Sequence, residues 1–261
     1  VVESHGSEVL VDRVGAVATV TLNRPERYNA FTTSLRAQLR AALEDLAAAE
    51  EVRAVVLTGA GKAFCSGQDL TEFAAVVDVA RTLREGYNPI IELLTTMGKP
   101  VVAAINGPCV GAGLGLALAC DLRVMADEGF LSCAFIGIGL VPDSGTTSFL
   151  TRAVGYERAF ELAATGRRVP AAEALALGLV LETCPAGAVH ERASALARAL
   201  AAGPTRAIGL TKALLHEAED ATLGTMLERE AVVQGDALAT EDHREGVAAF
   251  LAKRPPVFRG R

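Results

Sequence analysis

Four short apolar runs, Val17 to Asn23, Val52 to Thr58, Pro100 to Ile105 and Asp121 to Ala126, alternate with stretches of helical patterning. Strands alternating with helices argue for an α/β core built from βαβ units. Between the first two runs, Thr32 or Thr33 can cap a helix whose Leu35, Leu39, Leu43 and Leu46 recur every three or four residues. The first run ends in the turn-forming Asn23-Arg24-Pro25, the second in Gly59-Ala60-Gly61 and the third in Asn106-Gly107-Pro108. Residues 71 to 97 carry mixed helical signals with an expected break at Asn88-Pro89. After Pro142 the chain reads as mostly helical, with Ala171 to Leu177, Thr205 to Ala218 and Leu223 to Gln234 as the clearest segments. The expected organisation is a core over residues 1–199 and a helical C-terminal region over residues 200–261.

Composition narrows the function classes. With 51% hydrophobic and 21% charged residues, the chain can bury a sizeable core. A net charge of −6 gives no basic footprint for nucleic acid or an anionic membrane. Five cysteines, at 65, 109, 120, 133 and 184, form no C-x-x-C pair, which argues against a zinc site or disulfide frame and for a reducing cytoplasm. Val1 to Leu10 has early acids and no apolar run, so no signal peptide is expected, and no apolar stretch is long enough for a membrane span.

Three segments can carry chemistry. Val110-Gly111-Ala112-Gly113-Leu114-Gly115 follows a strand and opens a helix. Small residues there let a ligand approach exposed backbone N–H groups, as half of an oxyanion hole does, or let a helix pack tightly. The spacing departs from a dinucleotide fingerprint, because Leu116 stands where a third glycine would fall. In Ala63 to Leu70, Gly67 permits a turn that aims the Gln68 N–H into a pocket, although the segment also reads as an ordinary loop. In Gly139 to Thr147, Asp143 is either a general base or the cap of the following helix.

In order and separation these segments resemble the enoyl-CoA hydratase/isomerase (crotonase) superfamily. Asn23-Arg24-Pro25 with Asn29-Ala30 is similar to its opening motif, Ala63 to Leu70 to its first oxyanion segment, and Asn106 to Gly115 with Cys120-Asp121 to its second. The resemblance implies an α/β, crotonase-like spiral of ββα units with a helical C-terminal trimerisation region, assembled as a homotrimer or a dimer of trimers. It implies an acyl-CoA thioester substrate, no cofactor beyond its CoA moiety and no metal. The thioester carbonyl would rest on the N–H groups of Gln68 and Ala112, and Arg27, Ala30, Ser66, Gln68, Asp69 and Leu70 would line the CoA groove.

One departure is informative. Hydratases of the family carry two glutamates that position and activate water, and the matching positions here are Gly115 and Phe135. A double-bond shift needs only one base, and Asp143 is the candidate. Gly67 to Leu70, Tyr87-Asn88-Pro89 and Leu140 to Gly145 further resemble the 1,2-epoxyphenylacetyl-CoA isomerase-like subgroup. The expectation is an isomerase acting on 2-(1,2-epoxy-1,2-dihydrophenyl)acetyl-CoA or a 3-enoyl-CoA through Asp143. The alternatives are a hydratase using another acid, such as Asp69 or Glu72, and a non-catalytic acyl-CoA binder on the same fold.

Overall fold

The computed structural model describes residues 6–73 and 78–261. The expectations for Val1 to His5, and for residues 74–77 within the mixed helical stretch 71–97, lie outside the described residues. Strands β1 (Val9–Val14) and β2 (Val17–Leu22) form an antiparallel hairpin, and β3 (Ala54–Gly59) and β4 (Val101–Ile105) join β2 in parallel. After β4 the chain leaves the sheet as β5 (Cys109–Val110) and returns as β6 (Leu122–Ala126). It repeats the excursion with β7 (Phe130–Ser132) and β8 (Arg168–Pro170) before β9 (Glu182–Cys184). The result is a six-stranded sheet, β1-β2-β3-β4-β6-β9, beside a small sheet, β5-β7-β8. Long strand, short strand and helix repeat in turn, which is the expected ββα spiral.

Helix α1 (Thr33–Ala48) starts where Thr32 Oγ1 accepts from the Leu35 N–H at 2.9 Å. Its Leu35, Leu39, Leu43 and Leu46 are fully buried against one face of the large sheet, with Val55 and Leu57. Beyond the short α2 (Leu70–Phe73) and α3 (Val79–Thr82), the chain passes through a π-helical turn, Leu83–Tyr87, directly into α4 (Asn88–Thr96). The break expected at Asn88-Pro89 is therefore absent. Pro89 stands in the first turn of α4, where its missing N–H costs little.

Helices α5 (Ala112–Leu118), α6 (Thr146–Thr165, kinked at Gly155) and α7 (Ala171–Ala176) complete the site-bearing half. Helix α8 (Val189–Ala201) covers the other face of the sheet, where Val189, Ala193, Ala197 and Ala201 meet Ala54, Val56, Val102, Ala104 and Val124. The division expected near residue 200 falls in the last turn of this helix. Three helices follow: α9 (Thr205–Ala218) and α10 (Leu223–Leu238), where the C-terminal patterning placed helices, and α11 (Glu241–Leu251), which it did not single out. The buried Lys212 ties α9 to the core, donating to Asp121 Oδ2 at 2.9 Å and to the Leu94 carbonyl at 2.5 Å. Among the described residues, no helix is long and apolar enough to cross a membrane.

Candidate active site

The loop after β3 is held from two sides by asparagines. Asn29 Nδ2 donates to the carbonyls of Ala60 (3.0 Å) and Ala63 (2.8 Å), and Asn106 Nδ2 donates to Gly61 (3.0 Å) and Ala63 (3.2 Å). This anchoring delivers Cys65 to Gln68 in a fixed path beside β5. The Val110 N–H donates to the Cys65 carbonyl at 2.9 Å. Phe31 brackets the next turn: its N–H donates to the Gly67 carbonyl (2.7 Å), and its carbonyl accepts from the Asp69 N–H (3.0 Å). In this parallel bridge the amide of Gln68 itself points away from Phe31.

Gly67 has φ +89°, the left-handed region, and a Cβ there would lie 3.0 Å from the Val110 carbonyl oxygen and 3.4 Å from the Ala112 amide nitrogen. The turn at Gln68 and the start of α5 at Ala112 are thus in near contact. Among the described residues, neither the Gln68 nor the Ala112 N–H is bonded to a protein acceptor. Both residues line one cavity of about 360 Å³. Its walls are largely apolar, with Leu70, Leu83, Tyr87, Phe135 and Leu140, and Asp143 is the one carboxylate among its described lining residues. Two free amides and a carboxylate in an apolar chamber suit removal of a proton beside a carbonyl, with the charge received by the amides.

Asp143 does not cap α6. The N-cap is Gly145, and the Thr146 N–H donates at 2.9 Å to the main-chain carbonyl of Asp143. The Asp143 carboxylate instead accepts from Ser144 Oγ at 2.9 Å. Burial raises its pKa above the ordinary aspartate value, and the Ser144 hydrogen bond opposes this only in part. The cap reading is thereby corrected, and the side chain is left for the cavity.

The structure brings Ser66, Gln68, Leu70, Ala112 and Asp143 together around the cavity, whereas Arg27, Ala30 and Asp69 are not among its described lining residues. Arg27 is exposed, and its carbonyl accepts from Ser66 Oγ at 3.4 Å. Ala30 is buried, its carbonyl bonded by Arg24. Asp69 accepts from Thr71 Oγ1 (2.7 Å) and from Arg24 (3.1 Å), and these contacts, the Thr71 hydroxyl foremost, hold its pKa below the usual value. The folded pKa lies below the unfolded one, so the stabilisation is present above the ordinary aspartate range and is lost as pH falls through the folded value. Asp69→Asn therefore lowers the melting temperature at neutral pH, and the difference from wild type narrows in acid; thermal unfolding across pH checks this. Glu72 is also engaged elsewhere, accepting from the Thr33 N–H (2.8 Å) and Thr33 Oγ1 (3.2 Å) at the start of α1.

The family model described as Enoyl-CoA hydratase/isomerase matches residues 12–261 of the chain. This protein belongs to that family. It is 43% identical over 246 residues to the "Probable enoyl-CoA hydratase" of Rhodobacter capsulatus, covering 94% of this chain and 95% of the relative. To the 1,2-epoxyphenylacetyl-CoA isomerase of Escherichia coli it is 40% identical over 250 residues, covering 94% and 95%. A Mycobacterium abscessus crystal structure assigned to the enoyl-CoA hydratase/isomerase group superposes with a TM-score of 0.92 at 43% identity, over 97% of this chain and 100% of that one.

Of the two positions that the sequence resemblance matches to hydratase glutamates, Gly115 has no room for a side chain. Gly115 is buried in α5, and a Cβ there would lie 2.6 Å from the Ser144 carbonyl oxygen and 2.7 Å from Thr146 Oγ1. Phe135 fills the other position with a ring against the cavity. One residue at the site escaped the sequence reading. Arg36 is buried on α1 and reaches Gln68, and its register three and seven residues before Leu39 and Leu43 was the available signal.

Proposed function

We propose that this enzyme of the enoyl-CoA hydratase/isomerase family is an acyl-CoA isomerase. The observation that carries the reading is Asp143, the one carboxylate among the described lining residues, in the same chamber as the Gln68 and Ala112 amides, with glycine and phenylalanine where the resemblance places a hydratase's acids. Asp143 takes the proton from the carbon beside the thioester. The electron pair moves onto the carbonyl oxygen, which accepts hydrogen bonds from the two N–H groups. The same proton returns further along the conjugated system, so the product is an isomer and no atom is gained or lost. A preorganised donor at such an oxygen lowers the barrier by about 2.7–4 kcal/mol. The chemistry calls for no cofactor beyond the CoA moiety of the substrate.

The substrate class is 2-(1,2-epoxy-1,2-dihydrophenyl)acetyl-CoA, which belongs to phenylacetate breakdown, or a 3-enoyl-CoA. The apolar walls with Tyr87 and Phe135 and the name of the Escherichia coli relative support this. The Rhodobacter capsulatus relative favours a hydratase as the second reading, but Asp69 and Glu72, the other acids considered, are committed to Arg24, Thr71 and Thr33. Exposed apolar side chains on the C-terminal helices, Leu223, Leu227, Phe250 and Leu251 among them, support assembly as a trimer or pair of trimers. The free cysteines support a reducing, cytoplasmic setting.

The purified protein, offered 3-hexenoyl-CoA and crotonyl-CoA, is expected to convert the first to its conjugated isomer and leave the second unhydrated. Ultraviolet absorbance and mass spectrometry follow both reactions. Rapid hydration of crotonyl-CoA would replace this reading with the hydratase one.

A further inference from the structure

Arg36 is the one charged residue on the buried face of α1, only 6% exposed and in register with Leu39 and Leu43. A buried guanidinium is costly unless a counter-charge offsets its lost hydration. Among the described residues, no carboxylate forms an ion pair with it, and its donors meet neutral oxygens. These are Gln68 Oε1 at 2.9 Å, the Tyr87 hydroxyl at 3.2 Å and Thr33 Oγ1 at 3.2 Å. The guanidinium carbon also lies 4.6 Å from the centre of the Tyr87 ring.

The surroundings are built around this charge. A Cβ at residue 86 would lie 3.0 Å from Arg36 Nε, so Gly86 makes room for the guanidinium. The Tyr87 hydroxyl donates to the same Gln68 side-chain oxygen. The Tyr87 ring meets Phe31 edge to face at 5.4 Å, and Phe31 is the residue whose backbone brackets Gln68. Arg36, Tyr87 and Phe31 therefore fix Gln68 from its side chain and from its backbone at once. In the proposed reaction a negative charge forms on the thioester oxygen at the N–H of Gln68, the residue whose side chain Arg36 holds.

We propose that Arg36 is a positioning residue of the isomerisation, holding the Gln68 turn in place and offsetting the charge of the enolate that forms on its amide. The proposal rests on the reading of Gln68, Ala112 and Asp143 given above. A buried cation stabilises a charge that develops in the transition state more than it stabilises the neutral thioester, so its effect falls on kcat rather than on KM.

Proton exchange isolates this step. With saturated hexanoyl-CoA in D₂O, Asp143 takes an α-proton, exchanges it with solvent and returns a deuteron, so a C–H becomes a C–D with no other change. Mass spectrometry reads the rate. Arg36→Met is expected to slow this exchange and the kcat for 3-hexenoyl-CoA together, on the order of 10- to 100-fold, with KM held within about threefold. Arg36→Lys, which keeps the charge, is expected to recover part of both rates. Gly86→Ala, which displaces the guanidinium, and Tyr87→Phe, which removes one hydrogen bond, test the same group if Arg36→Met does not fold. Each is expected to lower kcat with little change in KM. Wild-type exchange in Arg36→Met, a loss confined to KM, or wild-type rates in both Gly86→Ala and Tyr87→Phe overturns the role of Arg36 alone. Absence of exchange by the wild-type enzyme on any acyl-CoA overturns the site reading, and this proposal with it.

Discussion

On the proposed role, Asp143→Asn is expected to lose isomerase activity by about 10²–10⁴-fold and to keep its fold. The loss follows because the asparagine amide cannot take the α-proton and no other carboxylate lines the cavity among its described residues. The fold survives because the Asp143 side chain holds no helix end: the start of α6 is bonded by its main-chain carbonyl, which the variant retains. Stability moves in the opposite direction to activity. Burial raises the Asp143 pKa above its ordinary 3.8, so the native state binds the proton more tightly than the unfolded chain does. Ionising it as pH rises from 3.8 through the folded value costs stability, and that cost is fully present above the folded value. Asp143→Asn removes the cost, so its melting temperature at neutral pH equals or exceeds that of wild type. The two proteins converge below the ordinary aspartate range. The wild-type kcat/KM rises with pH through a midpoint above that of an ordinary aspartate. Isomerase assays and melting curves across pH, on wild type and variant together, check all of this. Full activity in a folded Asp143→Asn sample would remove Asp143 from the mechanism.

Placing a glutamate at Gly115 is not expected to make a hydratase. Even Gly115→Ala places a methyl group 2.6 Å from the Ser144 carbonyl oxygen and 2.8 Å from Ser144 Cβ, where something must move. Ser144 has little latitude: it is buried, and its φ of +52° already lies in the left-handed region that non-glycine residues rarely adopt. Over-packing of this kind costs about 1–3 kcal/mol. The turn that would shift carries Asp143, so Gly115→Ala is expected to lower both the melting temperature and the isomerase rate. Gly115→Glu is expected to unfold at a still lower temperature and to leave crotonyl-CoA unhydrated. Detectable hydration by a folded Gly115→Glu protein would show that the missing carboxylate alone separates the two activities.

The sequence determined the elements whose evidence is local. Val17 to Asn23, Val52 to Thr58, Pro100 to Ile105 and Asp121 to Ala126 all lie on strands to within two residues, because short apolar runs between turn residues have few other ways to be buried. The Thr32 cap and the leucine stripe of α1 were legible for the same reason. Helix α8 was not, because its buried stripe is alanine, Ala193, Ala197 and Ala201, which packs closely on a sheet face of alanine and valine but gives little hydrophobic contrast along the chain. The strands β5, β7, β8 and β9 span two or three residues each and depend on partners remote in sequence.

The ordered motifs pointed to the family, marked Gln68, Ala112 and Asp143 as one site and favoured Asp143 as the base, but they could not show whether its carboxylate also caps α6. An aspartate just before a helix can do either, and only the path of the chain through Gly145 sends its carboxylate away from the helix end. Nor could they reveal that Gly115 is closed by the Ser144 turn, or that Arg36 reaches Gln68 across 32 residues of sequence. Composition and periodicity record what each residue prefers, whereas these contacts arise between segments that meet only after the sheets and helices have packed.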